Sequence, residues 1–249
     1  MTAVTSVFTP WYRRGPGRRG PARAGADAAL AGSLEPTRIL DHRSVPIARL
    51  VERARAEAPT SDVTDVLASA YAMIRDQVRP VYSVNESTPA SRTLARGFGS
   101  CSQRLAVLES VARSLGIPTR VRALLVDRSF WYPRFPRVRL LLPARIMLVW
   151  PEFEIDNSWK SASELFGPIG CRGGTPFSNR GAETLFEAAG RCAIDWDGRS
   201  HDSEYDLSRF VRADFGYFAD RDEAFAMLGQ TLSLPVATLV DPLMRHIAA

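Results

Sequence analysis

A helix mouth built around a thiol constrains this chain more than any other feature of its sequence. The run Gly97-Phe98-Gly99-Ser100-Cys101 is followed by Ser102-Gln103-Arg104-Leu105-Ala106-Val107-Leu108-Glu109-Ser110-Val111-Ala112-Arg113-Ser114-Leu115-Gly116. Glycines 97 and 99 allow a tight backbone turn, and Ser100 is placed to cap the orphan amides of a first helical turn. Leu105, Leu108, Ala112 and Leu115 recur at helical spacing, so one face of that helix looks into a core. Gly116 stops the helix and Pro118 forbids its continuation. The run Thr119-Arg120-Val121-Arg122-Ala123-Leu124-Leu125-Val126 then reads as a strand. Cys101 is left in the first turn, where the partial positive charge of a helix N-terminus favours thiolate over thiol.

That order of pieces, Gly-x-Cys, apolar helix, Leu-Gly-Ile-Pro-Thr-Arg and strand, resembles the core of the transglutaminase-like (papain-like cysteine) superfamily over residues 97–126. Weaker likeness runs from about Thr37 to about Asp220 and takes in Ile74-Arg75-Asp76 and Trp159. The resemblance implies an α+β fold in which the helix carrying the cysteine packs on an antiparallel sheet, with flanking helices. It also implies that Cys101 attacks an acyl carbon, that a histidine at the start of the next strand is the base, and that an Asp on the following strand orients it. Where the histidine belongs, this chain reads Arg139-Leu140-Leu141-Leu142-Pro143-Ala144-Arg145-Ile146-Met147-Leu148-Val149-Trp150, and no histidine occurs between His42 and His201. Arg145 is the candidate for that slot. A guanidinium stays protonated, so it would hold a thiolate without moving a proton. Where the Asp belongs, after Trp159, the chain offers Ser161 and Ser163.

Two other groups are candidates for the base. His201 sits in the polar stretch Asp197-Gly198-Arg199-Ser200-His201-Asp202, and Glu152, with Asp156, follows the supposed histidine strand. A carboxylate there would raise the thiol pKa. The loop Arg128-Ser129-Phe130-Trp131-Tyr132-Pro133-Arg134-Phe135-Pro136 places Trp131 at the lip of a cleft, with Trp150 and Trp159 as further substrate-binding candidates. Cys171 and Cys192 read as structural. With successive cysteines 70 and 21 positions apart and no close Cys/His pair, no metal site is expected. No cofactor is implied.

Composition bounds the rest. At 249 residues and 45% hydrophobic content one substantial core can be buried, and we read residues 1–33 as a disordered basic tail before a domain over 34–249. Arg13, Arg14, Arg18, Arg19 and Arg23 account for the whole formal charge of +5. The domain itself is balanced, which argues against nucleic acid as a partner. Neither a signal peptide nor an apolar run long enough for a membrane span is visible, and three cysteines suit a reducing cytoplasm. The oligomeric state is read only as a monomer or weak dimer.

Helices are expected at 44–58, 62–78, 91–95, 184–190, 206–211, 221–228 and 235–247 beside the cysteine helix. Strands are expected at 119–126, 140–150, 153–159 and 192–196, and a glycine-rich loop at 167–183. The function expected from this reading is cysteine-dependent acyl transfer or amide-bond chemistry on a small-molecule or peptide acyl substrate, with an atypical catalytic set, in a bacterial specialised-metabolite setting. Amide hydrolysis with His201 as base is one form of it. The alternative is a catalytically inactive transglutaminase-like fold that binds a peptide or small molecule, because members of a catalytic set act as a unit and give little when one is missing.

Overall fold

A computed structural model describes residues 30–83, 85–136, 139, 142–169, 175–191, 194–199 and 204–232. Helix α1 (Val45–Glu57) tolerates Pro46 because it falls in the first turn, and it buries Ile47, Leu50, Val51 and Ala54 along one stripe. Helix α2 (Val63–Gln77) is capped by Asp62, whose side chain accepts from the Thr64 amide at 2.8 Å. Two-residue strands β1 (Arg79–Pro80) and β2 (Phe98–Gly99) pair in parallel and bracket the short helix α3 (Ala90–Arg96).

Helix α4 (Cys101–Ser114) is buried along nearly its whole length. Its far end closes in a Schellman motif. The Ile117 amide donates to the Ala112 carbonyl at 2.9 Å, the Gly116 amide donates to that of Arg113 at 3.1 Å, and Gly116 itself takes a φ of 81°. Chain reversal there feeds strand β3 (Thr119–Asp127) back across the helix.

Four antiparallel strands form the main sheet in the order β5-β4-β3-β6, with β4 at Arg145–Ile155, β5 at Ser158–Ser161 and β6 at Val211–Phe218. Alternation along β3 and β4 separates two cores. Leu124, Val126, Leu148 and Trp150 join the large cluster with α1, α2, α4 and the short helix α5 (Leu185–Gly190). Val121, Ala123, Leu125, Met147 and Val149 turn to the other face, where helix α6 (Arg221–Leu228) contributes Ala224. The α+β arrangement expected from the sequence is the one observed: a cysteine helix on an antiparallel sheet, with helices around it.

Three local expectations change. The strands expected at 140–150 and 153–159 are one long strand, β4, followed by a tight turn at Asp156 and Asn157, both at positive φ, and then β5. Pro143 precedes β4 rather than interrupting it. The helix expected at 206–211 is a 3-10 turn at Ser208–Phe210 leading into β6. Its alternation is broken by a bulge opposite Arg122–Leu124, with Gly216 at a φ of 78°. Of the strand expected at 192–196, Asp195 makes an isolated bridge to Asp206, while residues 192–193 lie outside the described ones. The helix expected at 235–247 also lies outside them. Leu30 and Ser33, read from composition as tail, lie against the start of β3: the Ser33 amide donates to the Thr119 carbonyl at 2.9 Å, and Arg120 donates to the Leu30 carbonyl at 3.1 Å. Among the described residues no helix is long and apolar enough to cross a membrane.

Candidate active site

The turn into α4 is fixed from several sides. Gly97 ends α3 at a φ of 69°, and a Cβ on Gly99 would stand 2.7 Å from the Thr93 methyl. Ser100 and Gln103 form a reciprocal capping box: Ser100 Oγ accepts from the Gln103 amide at 3.2 Å, and Gln103 Oε1 accepts from the Ser100 amide at 3.0 Å. Gln103 Nε2 also donates to Ser83 Oγ at 2.9 Å and to the Asn85 carbonyl at 2.7 Å, so both residues are tied to the mouth of the helix.

Cys101 is a free, partly exposed thiol on the wall of a cavity of about 160 Å³. Val81, Trp131, Phe135, Ile146, Leu148 and Leu185 supply its apolar surface. Tyr82, Glu86, Arg134, Asn179, Thr184 and Thr231 bring polar groups to it. Burial pushes the thiol up to about 12, and the charges of Glu86 and Glu187 act in the same direction. Arg104 and the Ser102 amide oppose this without reversing it. Burial thus acts against the thiolate that the helix terminus favours. A macrodipole is typically worth ~0.3–1 kcal/mol, less than the ~1.4 kcal/mol of a single pKa unit, and here it competes with the burial of a full charge.

Arg104, one turn along the helix, is wholly enclosed. It lies 4.2 Å over the Phe186 ring and pairs with Glu187 at 2.6 Å. Glu187 completes its own box with Thr184, whose amide donates to it at 2.9 Å. Burial alone would raise the Glu187 carboxyl, but the Arg104 charge and the Thr184 donors outweigh it and hold it below the usual carboxylate range.

The structure brings Cys101 and Trp131 to one cavity and places the other described candidates, Arg145, Glu152, Trp150 and Trp159, elsewhere. Arg145 is exposed at the start of β4, opposite Asp127, and alternation points it to the face of Met147 and Val149. It is not among the charges that act on the thiol; Arg104 is the cation that does. Where β4 borders the cavity, its side chains on the cysteine side are Ile146 and Leu148, so an apolar surface stands where the resemblance implies a base.

Glu152, toward the other end of β4, forms a buried ion pair with Arg120 at 2.8 Å. That guanidinium is held between Trp159 at 4.1 Å and Tyr217 at 4.0 Å. Glu152 and Trp159 thus share a structural clamp away from the cavity. Trp150 is core, edge-on to Trp196. Asp156 is exposed at the β4–β5 turn. Ser163, in the stretch where the resemblance implies the Asp, is buried, and its hydroxyl has no hydrogen-bond partner. His42 sits by the opposite end of α4, its carbonyl accepting from Ser114 Oγ at 3.1 Å. The helix length of ~20 Å separates it from the thiol. His201, Cys171 and Cys192 lie outside the described residues. Among the described residues no cluster of His, Cys, Asp and Glu could hold a metal ion.

Sequence reasoning passed over Tyr82, Glu86, Arg104 and Glu187. Two of these left a signal. Arg104 follows the thiol by about one helical turn, and Thr184-Leu185-Phe186-Glu187 has the spacing of a capping box.

Residues 50–163 match a family described as the transglutaminase-like superfamily, a match that supports cysteine-based chemistry at superfamily level. Among solved structures, the chain is similar to a crystal structure described as a putative cysteine protease from Cytophaga hutchinsonii, with a TM-score of 0.36 and 20% identity over 51% of this chain. The overlap spans 39% of that protein's chain. No curated protein matches the chain.

Proposed function

We propose that this chain, whose residues 50–163 match the transglutaminase-like superfamily, uses the cavity beside Cys101 to bind a small-molecule or peptide acyl ligand without the superfamily's proton-transfer cycle. One observation carries this reading: β4 presents Ile146 and Leu148 to the cavity that holds the thiol. A general base must lie within hydrogen-bond reach of the proton it takes, and hydrocarbon side chains take none. Burial also favours the protonated thiol at pH 7. What remains is a largely apolar recess with a few placed polar groups, the composition of a binding site.

Cysteine-dependent acyl transfer or amide-bond chemistry is the second reading, favoured by the free thiol opening onto that recess. A thioester donor has a good leaving group and lessens the need for a general acid. One experiment decides between the two. Purified protein and a Cys101→Ala variant are given a panel of aryl and short-chain acyl thioesters, with and without amines, and both ligand binding and thiol release are followed. Binding with equal release from the two proteins supports the first reading; release that depends on Cys101 supports the second.

A further inference from the structure

The polar groups around the cavity are almost all committed within the protein. Asn179 donates to the Phe130 carbonyl at 2.6 Å and accepts from Arg134 Nε at 2.9 Å. Arg134 also donates to the carbonyls of Gly181 and Glu183. Thr184 is bonded to Glu187 and Phe186, Thr231 accepts from the Met147 amide, and Ser102 accepts from Arg221.

Tyr82 differs. Its hydroxyl is buried on the cavity wall, its ring is held 4.5 Å from that of Phe135, and no acceptor is found for the phenolic proton. Arg134 interacts with the phenolic oxygen as a donor, and a guanidinium carries donors only, so it offers nothing to the phenolic proton. A buried donor left without an acceptor costs ~1–3 kcal/mol, a cost that an acceptor arriving with a ligand would relieve. The size of the recess is also informative. At about 160 Å³ it is close to the apolar cavity of ~150 Å³ that takes up benzene in another protein.

We infer that the cavity selects neutral ligands of about benzene-ring size bearing a carbonyl-type acceptor, seated so that Tyr82 Oη donates to that oxygen. This rests on the binding reading above and sharpens it: the apolar walls take an aryl or short branched acyl group, and Tyr82 reads its carbonyl.

The test uses acetophenone and ethylbenzene, similar in shape, with only the ketone carrying an acceptor. Their dissociation constants are measured by calorimetry on the wild type and on Tyr82→Phe, with melting curves as a check on folding. Acetophenone should bind the wild type more tightly than ethylbenzene, and Tyr82→Phe should cut that preference about tenfold while leaving ethylbenzene affinity unchanged. Equal binding of the two compounds to the wild type, or a preference untouched by the substitution, overturns the inference and leaves the binding reading standing. If neither compound binds the wild type and the thioesters do not bind either, both readings fall together. Comparison of the two ligands on the wild type alone stays decisive should the variant misfold.

Discussion

Cys101 in the first turn of α4 and Leu148 within β4 line the same cavity, thiol and hydrocarbon on facing elements. If the missing base is what keeps the thiol quiet, supplying one there should change its chemistry. Leu148→His is expected to speed iodoacetamide labelling of Cys101 at pH 7 at least tenfold, because an imidazolium beside a thiolate lowers the thiol pKa. Labelling is read by mass spectrometry of the peptide containing residue 101. An unchanged rate in a folded variant would contradict this account of the cavity.

Stability at high pH should carry the signature of the same thiol. Its pKa is raised in the fold from 9.0 to about 12, so the folded state is favoured fully while the group stays protonated in both states. Above the unfolded value the unfolded chain loses the proton first, and stability falls as pH rises from about 9 toward 12. Other groups titrate in that range, so the useful quantity is the difference between wild type and Cys101→Ala in urea midpoint. That difference should shift against the wild type across the window. A constant difference would mean that burial does not hold the thiol neutral.

Two ion pairs fasten the cysteine helix to its neighbours: Arg104 to Glu187 of α5, and Glu109 to Arg221 of α6, both at 2.6 Å. Removing one partner strands a charge, and Arg104→Ala or Arg221→Ala should each cost about 3–5 kcal/mol in denaturant unfolding. Replacing Arg104 and Glu187 together by Met and Leu should cost much less, because no charge is left behind. Glu187 adds a pH test. Its carboxyl is held below its ordinary 4.5, so its contribution is present above that value and is lost as pH falls through the lower folded value. Glu187→Gln should therefore remove part of the acid sensitivity. An unchanged acid midpoint would show that the pair is not stabilising.

The parts of this fold that read clearly from sequence are those where local and global signals agree. The stop at Gly116 and Pro118 predicts the Schellman closure of α4, and the apolar spacing of Ile47, Leu50, Val51 and Ala54 predicts the buried stripe of α1. Strand β6 was hidden because its bulge at Gly216 spoils the alternation that marks a strand. β4 was divided because buried residues lie on both of its faces, so no alternation shows where it begins.

The site was legible in its cysteine and in the 128–136 loop, which brings Trp131, Arg134 and Phe135 to the cavity. Arg145 looked like the residue facing the thiol until strand parity was known, since a shift of one position sends a side chain to the opposite face. Tyr82 and Glu86 line the cavity, and the charge of Glu187 acts on the thiol, through contacts far apart in sequence, which no local pattern records.

The most direct test of the account is the rate of iodoacetamide alkylation of Cys101 measured from pH 6 to pH 11. The account predicts a slow reaction at neutral pH that climbs with every pH unit and reaches no plateau in that range, consistent with a thiol near 12. A plateau below pH 8 would reveal a stable thiolate and contradict the binding reading in favour of a nucleophile.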